Sequence, residues 1–276
     1  MSTSAWHQTD IGFTDHCTAE QSAATHVIPI LATAEARGLI SAWSIVRKGT
    51  QWRLRYRPTR TGADAPAGIT ASLTALCGAG HLTKVVDVIY EPETEAFGGP
   101  RAMRIAHRLW HLDSRHLLTA RPDQPSSTRR REMSILLCTT MMRAAGLDWY
   151  EQGAVWAQVA KHRDPVDPDH VIAVLDAVRR LLTVAPESLT AIGASLAADK
   201  AWINAFATTG AAIRRIHDDG HLQRGLRDVL AHHIIFAWNR HGVRAVDQAA
   251  LATAAQTVVF GPDPTASLTI ETAATR

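Results

Sequence analysis

Nearly every run of alternating, β-branched residues in this chain lies ahead of Gly98, and almost none follows it. Any sheet must therefore come from the first third of the sequence. The remainder must bury its apolar surface helix against helix. Within that first third the signals alternate. Ala5 to Phe13 reads as a short strand. Thr18 to Arg37 has helical periodicity, with Gly38 as a stop and Pro29 as a kink. "LISAWSIVRK" reads as a strand, "KGTQ" as a turn and "QWRLRYRP" as the returning strand. "AGITASLTALCGAG" is a helix ending at Gly78 or Gly80, and "LTKVVDVIYEPE" a further strand. The order β-α-β-β-α-β is the split βαβ arrangement of ferredoxin-like folds.

After "FGGP" the pattern becomes helical. Pro100 suits a first helical position, and Met103, Ala106, Trp110, Ser114 and Leu117 fall on one helix face. "ARPDQPSST", Ala120 to Thr128, reads as a linker. "RRREMSILLCTTMMRAAG" reads as a buried helix closed by Gly146. Further helices are expected over Trp149–His162, Asp167–Val184, Ala194–Ile216, Gln223–Arg240 and Val246–Val258, before a mobile tail, "PDPTASLTIETAATR". The fold class is α+β. A small mixed sheet occupies 1–119 and a helical half 120–276, the two forming one compact body.

With 46% hydrophobic and 20% charged residues among 276, the chain can bury a sizeable core. A formal net charge of +3 is small for this length, so direct nucleic-acid binding is not expected. There is no apolar run long enough to span a bilayer and no basic-then-apolar start of a secretory signal. The expected location is the cytoplasm, without membrane association. Cys17, Cys77 and Cys138 are scattered and odd in number, which reads as reduced and mostly buried thiols.

Four places carry chemistry. On the strand Gln51–Pro58, Trp52, Leu54 and Tyr56 share one face and Arg53, Arg55 and Arg57 the other. Three guanidiniums in a row are either solvated or converge on an anion that relieves their repulsion. "YEPETEAFGGP" sets Glu91, Glu93 and Glu95 before a glycine turn and a helix start. It is a polar connection, or it positions a carboxylate for acid–base work. His107 and His111 stand four apart, but Arg108 occupies the place where a zinc protease has glutamate, and the nearby Asp113 and His116 do not complete a set. No metal site is assigned. Finally, "LAHHIIFAWNRHG" places His232, His233, Asn239 and Arg240 on an apolar helix, where buried polar groups need partners. There is no Walker A loop, GxGxxG, GxSxG or catalytic-cysteine context.

Read in order, "HVIPILATAEARGLISAW", "RKGTQWRLRY", "YEPETEAFGGPRAMRIAHRLWHLDSRHLL", "RREMSILLCTTMMRAAGLDWYEQGAVWAQVAKHR" and "GLRDVLAHHIIFAWNRHG" resemble the thiopeptide-type bacteriocin biosynthesis proteins. These are relatives of the C-terminal elimination domain of class I lantibiotic dehydratases. The resemblance runs from about Val27 to Phe260. It implies maturation of a ribosomally made precursor peptide, leader plus core, with no cofactor. A glutamylating dehydratase subunit is an implied partner, and the sequence leaves a homodimer open.

Two activities share the implied scaffold. One eliminates glutamate from glutamylated Ser or Thr, giving dehydroalanine or dehydrobutyrine. The other is a formal aza-[4+2] cycloaddition of two dehydroalanines, which builds a pyridine and releases the leader. For elimination the resemblance implies that Arg53 and Arg55 hold the glutamyl carboxylates, Glu93 orients an arginine or the substrate, and a histidine such as His233 moves the proton. The chain departs from the pattern in two places. Ala96 replaces an arginine before the aromatic-Gly-Gly turn, and Ala237 stands where the histidine belongs, with His233 about a turn earlier. Those departures strengthen the cycloaddition alternative, in which Arg53, Arg55, Tyr90 and Tyr150 are hydrogen-bonding candidates around the peptide, with Asn239 and Arg240 as further substrate contacts, while the kept arginine pair and Glu93 leave elimination first. A third class is a non-catalytic subunit that pairs a leader strand with the sheet edge.

Overall fold

The computed structural model describes residues 6–15, 17–118, 127–191 and 194–261. Most of the expected linker and all of the expected tail lie outside them. The described chain divides into two compact units. The first comprises residues up to Ser126 together with Phe236–Gly242, and the second the rest.

The first unit opens with β1 (His7–Gly12), then α1 (Ala19–Ser22), a π-helical turn (Ala23–Val27) and α2 (Ile28–Ala36). The expected kink at Pro29 is thus taken up as a widened turn just before it. Proline has no N–H for the carbonyl of Thr25, so the hydrogen-bond ladder shifts register ahead of it. Strands β2 (Ile40–Lys48) and β3 (Gln51–Pro58) form a hairpin, α3 spans Ala65–Gly78, and β4 spans Lys84–Val88. The last strand is shorter than expected, stopping before Tyr90.

The strands lie in the order β2-β3-β1-β4, the ferredoxin-like arrangement. All pairings are antiparallel, so the sheet is not mixed. Each parallel partner of a split βαβ unit is separated from its mate by an antiparallel strand. Ile11, Trp43, Ile45, Trp52, Leu54 and Tyr56 form one sheet face and pack with Val27, Leu31, Ile69 and Leu73 of the helical layer into a continuous core.

α4 (Pro100–Leu118) packs against β2, and its Trp110 reaches Arg55 on the other face. Gly98 and Gly99 have φ of 85° and 100°, which lets the chain turn from the loop directly into this helix. α4 also closes the edge of the sheet at β2. Ser114 Oγ accepts the Ile45 N–H at 3.1 Å, and His111 Nδ1 lies 3.0 Å from the Trp43 carbonyl. Backbone groups that an edge strand leaves open are satisfied here by side chains.

The second unit is helical: α5 (Ser127–Ala144), α6 (Trp149–Lys161), α7 (Pro168–Thr183), the short α8 (Pro186–Thr190), α9 (Lys200–Asp218), most of α10 (Leu226–His241) and α11 (Ala245–Phe260). α6 begins in a capping box: Asp148 accepts the Glu151 N–H at 2.8 Å, and Glu151 accepts the Asp148 N–H at 3.0 Å. α5 and α9 pack so closely at Gly210 that a Cβ there would stand 2.0 Å from the Met141 carbonyl oxygen. No described helix is long and apolar enough to cross a membrane. The cysteines depart from the expectation of burial: Cys138 is buried, Cys77 half-buried and Cys17 exposed.

Candidate active site

The arginine strand sorts its three guanidiniums by depth. Arg57 is exposed and its Nε donates to Ser41 Oγ at 2.8 Å; Arg53 is half-buried; Arg55 is only 4% exposed. A guanidinium this deep needs defined partners. Its Nε donates to Gln8 Oε1 at 2.8 Å, across the β1–β3 pair. Its Cζ lies 4.5 Å from the centroid of the Tyr90 ring and 5.6 Å from that of the Trp110 ring. Burial pushes the Arg55 pKa down from its usual value; Tyr90 and Glu93 work against that, while Arg53 and Arg240 add to it. Glu93 itself is exposed, within electrostatic reach of both Arg55 and Tyr90.

Around Arg55 stands an aromatic and imidazole wall. The Tyr90 hydroxyl is 2.8 Å from His107 Nε2. Trp6 stacks on the His107 ring with centroids 4.3 Å apart, and Trp110 meets that ring edge-on at 5.3 Å. Burial pushes the Tyr90 phenol up to about 12, a shift that Arg55 moderates and Glu93 reinforces. Burial, with Arg55 and Arg57 nearby, holds the His107 imidazolium down to about 4. Both groups are therefore neutral near pH 7. The indole N–H of Trp110 is buried and finds no acceptor among the described residues.

Behind this wall lies a charged cluster with no exposure. Arg240 Nε donates to Asp113 Oδ2 at 2.6 Å and His241 Nε2 donates to Asp113 Oδ1 at 2.9 Å. Burial alone would raise the Asp113 pKa, but His241 and Arg240 hold it well below the usual carboxylate range. Arg240 is fully buried and its guanidinium lies 5.7 Å from the Trp110 ring. That position suits an anchor of the wall more than a substrate contact. The half-buried Asn239 is the neighbouring α10 residue.

Arg53, Arg55, Tyr90 and Glu93 are thus brought together in the first unit, with Asn239 and Arg240 in that unit's share of α10. His233 and Tyr150 belong to the second unit. His233 is fully buried on α10, and Tyr150, two-thirds exposed, stacks on Phe260 at 6.4 Å. The sequence reading missed Gln8, Trp6, His107 and Trp110. In the sequence His107 reads only as half of a metal-like pair. In the structure His107 turns to Tyr90, whereas His111 turns to Trp43 and, through Nε2, to Glu35 at 3.3 Å. The available signal was position: His107 follows Ala106 and precedes Trp110, at the margin of the buried α4 face.

Solved structures share this fold, three of them as follows. The tRNA-dependent lantibiotic dehydratase MibB from Microbispora sp. 107891 matches 98% of this chain with a TM-score of 0.63 at 16% identity; the match spans 29% of MibB. TsrL matches 93% of this chain and 94% of its own, with a TM-score of 0.62 at 15% identity. TbtD, the pyridine synthase from thiomuracin biosynthesis, matches 92% of this chain and 97% of its own, with a TM-score of 0.52 at 10% identity. No protein of curated function matches the sequence. A family model covers residues 6–259, from the tryptophan stacked on His107 to the last turn of α11, and on that match the chain belongs to the lantibiotic biosynthesis dehydratase C-terminal family.

Proposed function

We propose that this chain is a maturation enzyme for a ribosomally made precursor peptide and that it eliminates glutamate from glutamylated Ser or Thr side chains. One observation carries the reading: Arg55 is buried yet held by neutral groups, with Arg53 beside it and Glu93 at the rim. A guanidinium desolvated in this way binds a carboxylate more strongly than one in water, and its planar fork suits bidentate contact. In elimination the Cα–H bond breaks as a base takes the proton, its electrons form the C=C bond, and the Cβ–O bond releases glutamate. Arg53 and Arg55 would hold that departing anion. The glutamylated peptide would come from a glutamylating dehydratase partner.

A second reading is pyridine synthesis by aza-[4+2] cycloaddition. It is favoured by Ala96 at the turn and by the neutral Trp6–His107–Tyr90 wall, which suits polarising an amide better than gripping an anion. The test offers the purified protein a glutamylated precursor and a fully dehydrated linear precursor and follows peptide mass. Glutamate loss from the first identifies the eliminase; leader release with macrocycle formation from the second identifies the cyclase. No change in either, with tight leader binding, leaves a non-catalytic subunit. Under the elimination reading, Arg55→Ala lowers turnover at least about 100-fold with the circular dichroism spectrum retained. Near-normal turnover would sink the anion-pocket idea.

A further inference from the structure

We infer that His107 is the site's neutral electrophile: Tyr90 fixes the imidazole as its Nδ1–H tautomer, and that N–H donates to the peptide carbonyl oxygen on which charge gathers during reaction. The inference rests on the proposed reading that this site acts on a peptide, and it holds for either reaction. Abstraction of an α-proton turns the adjacent carbonyl into an enolate. Ring closure through an amide likewise draws negative charge onto its oxygen. A donor aimed at that oxygen and already desolvated stabilises the transition state more than the ground state.

The geometry sets the tautomer. A phenol that keeps its proton and an imidazole that stays neutral share the 2.8 Å contact at Nε2. The phenol donates into the Nε2 lone pair, so the ring proton sits on Nδ1. Nδ1 makes no hydrogen bond among the described residues. Trp6 at 4.3 Å and Trp110 at 5.3 Å fix the plane of the ring, and the ring is only half-buried, so its free side is reachable. Tyr90 also carries the Arg55 guanidinium on its face at 4.5 Å, so one side chain sets both the cation and the neutral donor. An imidazolium here would face Arg55 and Arg57, which explains why the donor works uncharged.

A ring that merely fills space predicts different behaviour from a ring that donates. His107→Gln places an amide near Nε2, where it can still meet Tyr90, but leaves no donor at Nδ1. His107→Asn places an amide N–H near Nδ1. With whichever precursor the wild-type protein converts, His107→Gln lowers kcat about 100-fold with KM little changed, and His107→Asn recovers part of that loss. Tyr90→Phe lowers kcat less than His107→Gln does. Equal kcat for wild type and His107→Gln, with unchanged melting temperature, overturns the donor role.

A second measurement needs no turnover. Imidazole 15N shifts of the full chain at pH 7 should show a protonated Nδ1 and a pyridine-type Nε2 for His107, moving toward a tautomer mixture in Tyr90→Phe. The opposite tautomer, or an imidazolium at that pH, overturns the inference even if the protein proves active. Conversely, a wild-type protein that converts neither precursor defeats the proposed function, while the 15N shifts still decide the tautomer.

Discussion

Removing the Asp113 carboxylate would take the counter-charge from Arg240 at a place that water does not reach. All three members of the cluster, Asp113, Arg240 and His241, are 0–1% exposed. Asp113→Ala is therefore expected to destabilise the protein by about 3–5 kcal/mol, read as a lowered urea midpoint with an unchanged slope. A loss below about 1 kcal/mol, the range of exposed pairs, would show that other groups carry the charge. The sequence held a clue that periodicity alone does not convert into a contact. Asp113 sits on α4 next to Ser114 and three residues after Trp110, so it falls on the buried stripe. Its partners lie 127 and 128 residues downstream. A charge on an apolar face announces that a partner exists, but not where along the chain it lies. For the same reason Arg240 read as a substrate contact in the sequence, whereas in the structure its Nε is committed to Asp113.

At the scale of elements, helices and strands were legible wherever a local pattern decides them. The β2–β3 hairpin and its facing of Trp52, Leu54 and Tyr56 follow from strict alternation, and α6 and α7 begin within one residue of where they are expected. What escaped was set by neighbours. β4 ends at Val88 although Ile89 and Tyr90 continue a strand-like composition, because Ile89 turns out to 89% exposure while Tyr90 turns in toward His107. The helix expected from Ala194 to Ile216 starts instead at Lys200, behind a short 3₁₀ turn, and runs on to Asp218. Gly210 is the clearest tertiary constraint in the helical unit. In a free helix Gly→Ala is stabilising by about 1 kcal/mol, so the sequence makes this glycine look like a defect. With the Met141 carbonyl oxygen 2.0 Å from where the methyl would go, Gly210→Ala must push α9 from α5. The expected result is a loss of roughly 1–3 kcal/mol in thermal or urea unfolding. A gain in stability would mean that the two helices separate easily.

For the whole molecule, acid is the informative perturbation, because His107 and Asp113 report in separate windows. The folded state binds the His107 proton only near pH 4, whereas an unfolded histidine binds it near 6.5. Below 6.5 the unfolded state thus holds more protons, and stability falls as pH drops toward 4, by roughly 3 kcal/mol in all at about 1.4 kcal/mol per pH unit. The Asp113 carboxylate is depressed in the fold, so its contribution persists down to the ordinary carboxylate value of 3.8 and is lost only below it. His107→Gln should flatten the stability curve between pH 6.5 and 4 and leave the steeper loss at lower pH. An unchanged slope in the upper window would place the acid sensitivity elsewhere. The fold class and the arginine strand could be read from the sequence because both follow from local order. The wall of Trp6, His107 and Trp110 could not, since it joins the first described residue to the middle of α4 through a sheet whose strand order is not sequential. That same strand order, with α4 side chains plugging β2 and no described strand beyond β4, leaves the sheet a single open end. Sheets that join through such an end can meet only once: two copies use up both free edges, so pairing of this kind stops at a symmetric couple and never grows into a fibre.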